Sequence, residues 1–243
     1  ACWLAYFKHG IRKNSYPWLL NEATDFNLKI DFDKYRNSDK SPKWLEDKGY
    51  GHLIPANIPE IDTFRNARAY GLSCFIPELD IYIGGGLDDL LFNPTTNEYT
   101  IVDYKSTSTN QIITLDAPHR ISQKRQLNFY SFILSRLGFK MSKIGLIFYV
   151  NGKRDTGMLN NYNNDNMANM YFDISIHEHI CDYSNILPTL KIMKEYIHSE
   201  NISLPKHSLN NDCDFKYCVS MVEFTFRNRN HVCYINDDDN DEE

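Results

Sequence analysis

Two carboxylates and a lysine stand at a spacing that suits metal-assisted chemistry. Gly85-Gly86-Leu87-Asp88 is followed by the turn-rich stretch Asn93-Pro94-Thr95-Thr96-Asn97-Glu98 and then by Asp103-Tyr104-Lys105. Side chains alternate along a strand, so Asp103 and Lys105 share one face. If Asp88 faces the same side across the hairpin, two acids and one ammonium converge. Paired carboxylates with spare coordination positions suit a hard cation such as Mg²⁺. Such a cation polarises a phosphoryl oxygen and lowers the pKa of bound water. The lysine would steady that water or the charge developing on phosphorus. The implied chemistry is phosphodiester hydrolysis. The plain alternative is a surface ion pair of little energetic weight. Asp89 directly follows Asp88 and points to the opposite face of a regular strand, so it reads as a neighbour and not a ligand. Further on, Gln126 and Tyr130 stand four residues apart. On a helix they share one face, where an amide and a phenol can reach a water, a phosphate or a base. A boundary tyrosine beside a solvated glutamine is the alternative there.

The elements that must position these residues are legible in outline. From Trp18 to Tyr35, Leu19, Leu20, Ala23, Phe26, Ile30 and Phe32 recur at roughly helical spacing. Residues 37–60, with Pro42, Pro55 and Pro59, read as irregular with one short helix. Three strands follow: Leu79–Ile83, Leu90–Phe92 and the returning Tyr99–Lys105, the last two joined by the turn. A helix covers 118–138, opened by Pro118 and closed near Gly138. Lys143–Val150 reads as a buried strand, the Asn-rich 151–168 as a long loop and Met170–Ile176 as another strand. A last helix spans 184–199 with Pro188 in its first turn. No internal repeat stands out.

In order and spacing, Gly-x-x-Asp, then Asp-Tyr-Lys one hairpin later, then a helix with Gln-x-x-x-Tyr resembles the PD-(D/E)XK nuclease superfamily. Within it the resemblance is to the RecB-type, CRISPR-associated-exonuclease-like branch. It extends through Gly84–Ser108, Lys124-Arg125-Gln126 and Tyr149-Val150-Asn151-Gly152-Lys153-Arg154, and covers most of residues 2–220. It implies an α/β fold with a restriction-endonuclease-like core, a mixed central β-sheet flanked by α-helices, as a single domain over 1–220. Residues 221–243 would be an extension ending in an acidic tail. The resemblance further implies Asp88, Asp103 and the Tyr104 carbonyl as ligands of Mg²⁺ or Mn²⁺. Lys105 would orient the attacking water, and Gln126 and Tyr130 would position the strand or the site. Asp25, on the helix before the strands, matches the first motif of such nucleases and would be a third metal-facing side chain. Glu22, one turn away, is the fallback. The implied substrate is DNA with ends or single-stranded regions, cleaved without a covalent intermediate. The other class left open is a nucleic-acid-binding subunit with a nuclease-like fold and no activity. Partner helicases or recombination and repair proteins are not identified by the sequence.

Several nucleases of this kind also hold a [4Fe–4S] cluster, with one cysteine before the core and the rest after it. By resemblance Cys2, Cys213 and Cys218 are the candidate ligands of such a cluster or of zinc. The chain departs from the pattern: Cys213 and Cys218 are not a Cys-x-x-Cys pair, Lys216 stands where a second cysteine would, and Cys233 is distant. Free thiols are the alternative, and a structural metal protein organised by its cysteines is a third class. A second metal-like string is His177-Glu178-His179-Ile180-Cys181. On a strand its two histidines and its cysteine would share a face; the alternative is the frayed end of a strand beside a loop.

Composition bounds the remaining classes. The 243 residues are 42% hydrophobic and 24% charged, ordinary globular values that exclude disorder as the overall class. No run of eighteen apolar residues exists, so no membrane-spanning helix is expected. The net charge of −6 comes from the end of the chain, because six of the last seven residues are acidic. The tail is expected to be solvated, and the rest of the chain is neutral. Arg120, Lys124 and Arg125 sit on or before the Gln126 helix and are candidate nucleic-acid-binding residues. His119, Lys153, Arg154, Arg65 and Arg68 are further candidates for a phosphate track, with ordinary solvated charges as the alternative. Gly84-Gly85-Gly86 lacks a following Gly-Lys-Ser/Thr, which argues against an NTPase, and no Gly-x-Ser-x-Gly elbow is present. The chain begins Ala1-Cys2-Trp3 without a charged-then-apolar leader, so an intracellular location is expected.

Overall fold

The computed structural model describes residues 19–69, 71–159 and 168–198. Trp18–Pro188 forms one compact unit, and Ala1–Pro17 with Thr189–Glu243 a second, of which 189–198 is described. In chain order the elements are α1 (Leu19–Arg36), α2 (Lys43–Asp47), β1 (Ile54–Pro55), α3 (Ile61–Arg65), β2 (Leu72–Ile76), β3 (Ile81–Gly85), β4 (Asp89–Asn93), β5 (Glu98–Thr107), α4 (Ile121–Arg136), β6 (Ile144–Gly152), β7 (Phe172–Ile180) and α5 (Ile186–His198). No helix among the described residues is long and apolar enough to cross a membrane.

The sheet is mixed, with five strands in the order β1-β4-β5-β6-β7. β4 and β5 form the antiparallel hairpin, while β5 and β6 run parallel, Asp103 lying opposite Ile147 and Lys105 opposite Tyr149. A parallel pair needs a long crossover, and α4 supplies it. β2 and β3 form a separate antiparallel ribbon.

Alternation sorts the two faces of β5. Tyr104 packs with Phe32 of α1 and Phe148 of β6, so the even-numbered residues of β5 face α1. Leu28, Phe32, Leu45, Leu91, Val102, Leu146 and Val150 complete that core. Leu28 and Phe32 stand at i and i+4, which turns one stripe of α1 inward; Phe26 and Ile30 remain exposed on another. Asp103 and Lys105 lie on the other face of β5 and point toward α4.

Two boundaries differ from the sequence reading. The expected strand over Leu79–Ile83 is half of a hairpin: Pro77–Leu79 is a 3₁₀ turn, and Asp80 adopts a left-handed φ of 48° that reverses the chain into β3. Proline at the start of the turn and aspartate at its end favour that reversal. β7 runs regularly to Ile180, four residues beyond the expected end, because its ladder with β6 continues to the pair Ile144–Ile180. The long loop is borne out for residues 153–159, which are irregular; 160–167 lie outside the described residues.

Candidate active site

Asp88 and Asp89, consecutive in sequence, serve opposite faces of the sheet. Asp89 opens β4 opposite Val102 and is fully buried on the α1 side. Arg36 reaches both of its oxygens, at 2.9 and 3.1 Å. Arg65 donates at 2.7 Å, the Tyr104 hydroxyl at 2.9 Å and the Leu90 N–H at 2.7 Å. Asp33 completes the network by accepting from both arginines. Burial works against the Asp33 charge, yet the two guanidinium groups hold its carboxyl below the ordinary value. Arg65 is thereby corrected: it is a buried structural cation and is not free to join a phosphate track.

On the other side the β4–β5 ladder stops at Asp89, and the Asp88 carboxylate takes over, accepting the Tyr104 N–H at 2.7 Å. Asp103 is 1% exposed. Neither of its oxygens accepts a hydrogen bond of good geometry. Its polar contact is the Lys105 ammonium, 2.6 Å from Oδ2. Burial, then the charge of Asp88, pushes the Asp103 carboxyl up to about 7 against the pull of Lys105. Burial also raises Asp88. Burial opposes the Lys105 charge, but Asp103 and Asp88 prevail and raise its pKa. The structure therefore brings Asp103 and Lys105 together as alternation implied, and places Asp88 beside them.

Tyr130 of α4 completes this group. Its phenol is raised by burial, with Gln126 opposing, and it feels the charges of Asp88, Asp103 and Lys105. It approaches Gly85 so closely that a Cβ there would lie 2.7 Å from Cε1 and 2.9 Å from the hydroxyl. Gly85→Ala is expected to push the Tyr130 ring out of place. The change should alter the tyrosine near-ultraviolet signal. An unchanged signal would show that Tyr130 is not placed by this contact.

A cleft of about 300 Å³ opens beside these groups, lined among others by Asn21, Thr24, Asp25, Asp88, Lys105 and Ser106. Asp25 sits on α1, half-buried, with its Oδ2 2.7 Å from Lys29 Nζ. The hydroxyls of Thr24 and Ser106 meet across the cleft wall. Glu22 also lines the cleft and pairs loosely with Arg68 at 3.5 Å. The Tyr104 hydroxyl is spent on Asp89, so its side chain does not serve the cleft.

These residues fit a hard divalent cation. Two adjacent carboxylates, both raised by burial and one of them also by the other's charge, form an oxygen donor set that gains from a positive charge. Yet no group of three His, Cys, Asp or Glu among the described residues gathers around one point. Asp25 is turned onto Lys29 and Asp103 onto Lys105.

Most of the basic residues near the cleft have partners within the chain. Arg120 donates to the Thr114 carbonyl and lies over the Tyr149 ring, 5.0 Å from its centroid. Lys124 pairs with Asp116 at 3.2 Å, Arg154 holds Ser108 and Lys153 pairs with Asp173 at 2.8 Å. Asn151 grips Thr109 through both its amide N–H and its carbonyl oxygen. Most of these side chains brace the loop that leaves β5 after Thr107. Arg125 is exposed on α4.

His177 and His179 do share a face of β7, but with partners of their own. His177 pairs with Ser175 and meets the Tyr149 ring edge-on, and His179 pairs with Asn128 at 2.8 Å. Burial lowers both imidazoles, helped by Arg120 and Lys124 respectively. Burial pushes the Cys181 thiol up to about 11, away from the thiolate a metal needs. Cys74 is a buried free thiol. Cys2, Cys213, Cys218, Cys233 and the acidic tail lie outside the described residues.

Sequence reasoning missed the Asp33–Arg36–Arg65–Asp89 network, whose members are far apart in the chain. It also missed Lys29, although its i, i+4 spacing from Asp25 was visible. No protein-family model and no curated protein sequence matches this chain.

Proposed function

We propose that this cleft hydrolyses phosphodiester bonds of nucleic acid in a divalent-metal-dependent manner, within a core of the restriction-endonuclease type. The observation that carries the reading is the buried, poorly satisfied Asp103 carboxylate beside Asp88, with the Lys105 ammonium against it. Asp88, Asp103 and the Tyr104 carbonyl would hold Mg²⁺ or Mn²⁺, with Asp25 as a further ligand. When bound, the cation supplies Lewis-acid polarisation and a more acidic water.

The protein's own groups do the rest. Lys105 is protonated at neutral pH, since its pKa is raised above the ordinary lysine value. It donates to the attacking water and offsets negative charge on the phosphoryl oxygens. Tyr130 keeps its proton, being raised as well, and is a hydrogen-bond donor at the same place. Thr24, Ser106 and Asn21 line the cleft with hydroxyl and amide groups that suit phosphate and sugar oxygens. DNA ends or single-stranded DNA are the proposed substrate, following the motif resemblance.

The test is cleavage of end-labelled single- and double-stranded oligonucleotides with Mg²⁺ or Mn²⁺. EDTA should stop the reaction, and Lys105→Ala should slow it about 10²–10³-fold, the usual cost of losing one donor to developing charge. Cleavage that survives both would overturn the assignment. Tight binding without any cleavage would instead favour an inactive binding subunit.

A further inference from the structure

Lys29 follows Asp25 by one turn of α1, and its ammonium nitrogen lies 2.7 Å from Asp25 Oδ2. An i, i+4 pair on a solvated helix face adds a few tenths of a kcal/mol and needs no other role. This pair differs in its surroundings. Asp25 lines the cleft. The two side chains keep only 18% and 28% exposure, and Asp88 feels both charges. On the facing wall Lys105 is held by Asp103 in the same way. With Glu22, which also lines the cleft, four carboxylates and two ammonium groups gather in and beside it. The balance is negative, which repels a phosphodiester; one divalent cation offsets it. Asp25 cannot give its charge fully to a cation and to Lys29 at once.

We propose that Lys29 is the counter-ion which a divalent cation displaces from Asp25, and that the released ammonium then binds a nucleic-acid phosphate. The inference rests on the metal-dependent reading of the cleft and adds a coupling to it: metal and nucleic acid bind cooperatively through one lysine. A lysine suits this part, because its ammonium is a point charge on a flexible four-carbon stem. Linkage makes the coupling reciprocal, so either ligand tightens the other by the same factor.

The test is Mn²⁺ titration calorimetry on the full chain, with and without a short single-stranded phosphorothioate oligonucleotide that resists hydrolysis. In the unaltered protein the oligonucleotide should tighten Mn²⁺ binding about tenfold, within the usual range of such couplings. Lys29→Met should bind Mn²⁺ about threefold tighter without oligonucleotide, as expected on removal of a partly exposed ion pair, and should lose most of the coupling. Lys29→Arg should retain it. If Mn²⁺ binding depends on Asp103 but ignores the Lys29→Met change, this inference falls and the metal reading stands. If the unaltered protein shows no Asp103-dependent Mn²⁺ binding, the metal reading falls and takes the inference with it.

Discussion

In EDTA at pH 8, an Asp103→Asn variant is expected to melt several degrees above the unaltered protein, and with Mg²⁺ it should not cleave. Both effects come from one carboxylate. Its folded pKa is about 7, against about 3.9 for an unfolded aspartate. Between those values the folded chain binds more protons than the unfolded one, so stability falls as pH rises. The penalty is absent below about pH 4 and complete above about pH 7, where three units correspond to roughly 4 kcal/mol. Asparagine carries no charge and escapes it. Part of the gain is lost because Lys105 keeps only Asp88 as a counter-ion. At roughly 2–4 °C per kcal/mol for a chain of this size, a gain of about 5 °C at pH 8 remains. At pH 4 the two proteins should melt together. Thermal melts at the two pH values check this, and equal melting temperatures at both would show that Asp103 is not strained. Cleavage should drop at least about 10²–10³-fold, because an amide is a poor ligand and does not anchor Lys105.

The neighbouring acid should behave in the opposite way. Asp89→Ala is expected to destabilise the fold by about 3–5 kcal/mol, the usual cost of stranding the partners of a buried ion pair. Arg36 and Arg65, both almost fully buried, would lose their shared carboxylate, and Tyr104 would lose its acceptor. Urea denaturation measures the difference, and a midpoint within error of the unaltered protein would refute it. Asp88→Asn, one residue away, should not lower the urea midpoint, because burial raises this carboxyl too, while the proposed cleavage should be lost. The two substitutions together separate the acid that holds the fold from the acid proposed to bind the metal.

Alternation made the chemistry readable. Asp103 and Lys105 could be placed on one face by the period of the strand, while the side taken by Asp88 across the hairpin stayed open. The same rule turned Asp89 away from the cleft but could not say toward what. Its partners Arg36 and Arg65 lie 53 and 24 residues upstream, and no local pattern links them. The contact between Gly85 and Tyr130 was illegible for the same reason, since it exists only once α4 lies across the β2–β3 ribbon. The far end of β7 was misjudged because an edge strand is half exposed. There His177-Glu178-His179 has the polar look of a loop although it is paired throughout with β6. The basic residues were legible as charges but not as braces, because the carbonyls they hold belong to a loop without a sequence pattern of its own.

The mooring of α1 has a mechanical side. Arg36, at its C-terminal end, is fastened to Asp89, while Asp25 stands eleven residues earlier, about 16 Å along the axis. The helix is therefore a lever with its fulcrum outside the cleft. A tilt of about 5° at Arg36 swings Asp25 by about 1.4 Å over that arm, and among the described residues the near end is tied to the cleft wall by the meeting of Thr24 with Ser106. A change confined to the arginine anchor would reach the cleft magnified, as a loss of alignment between Asp25 and Asp88.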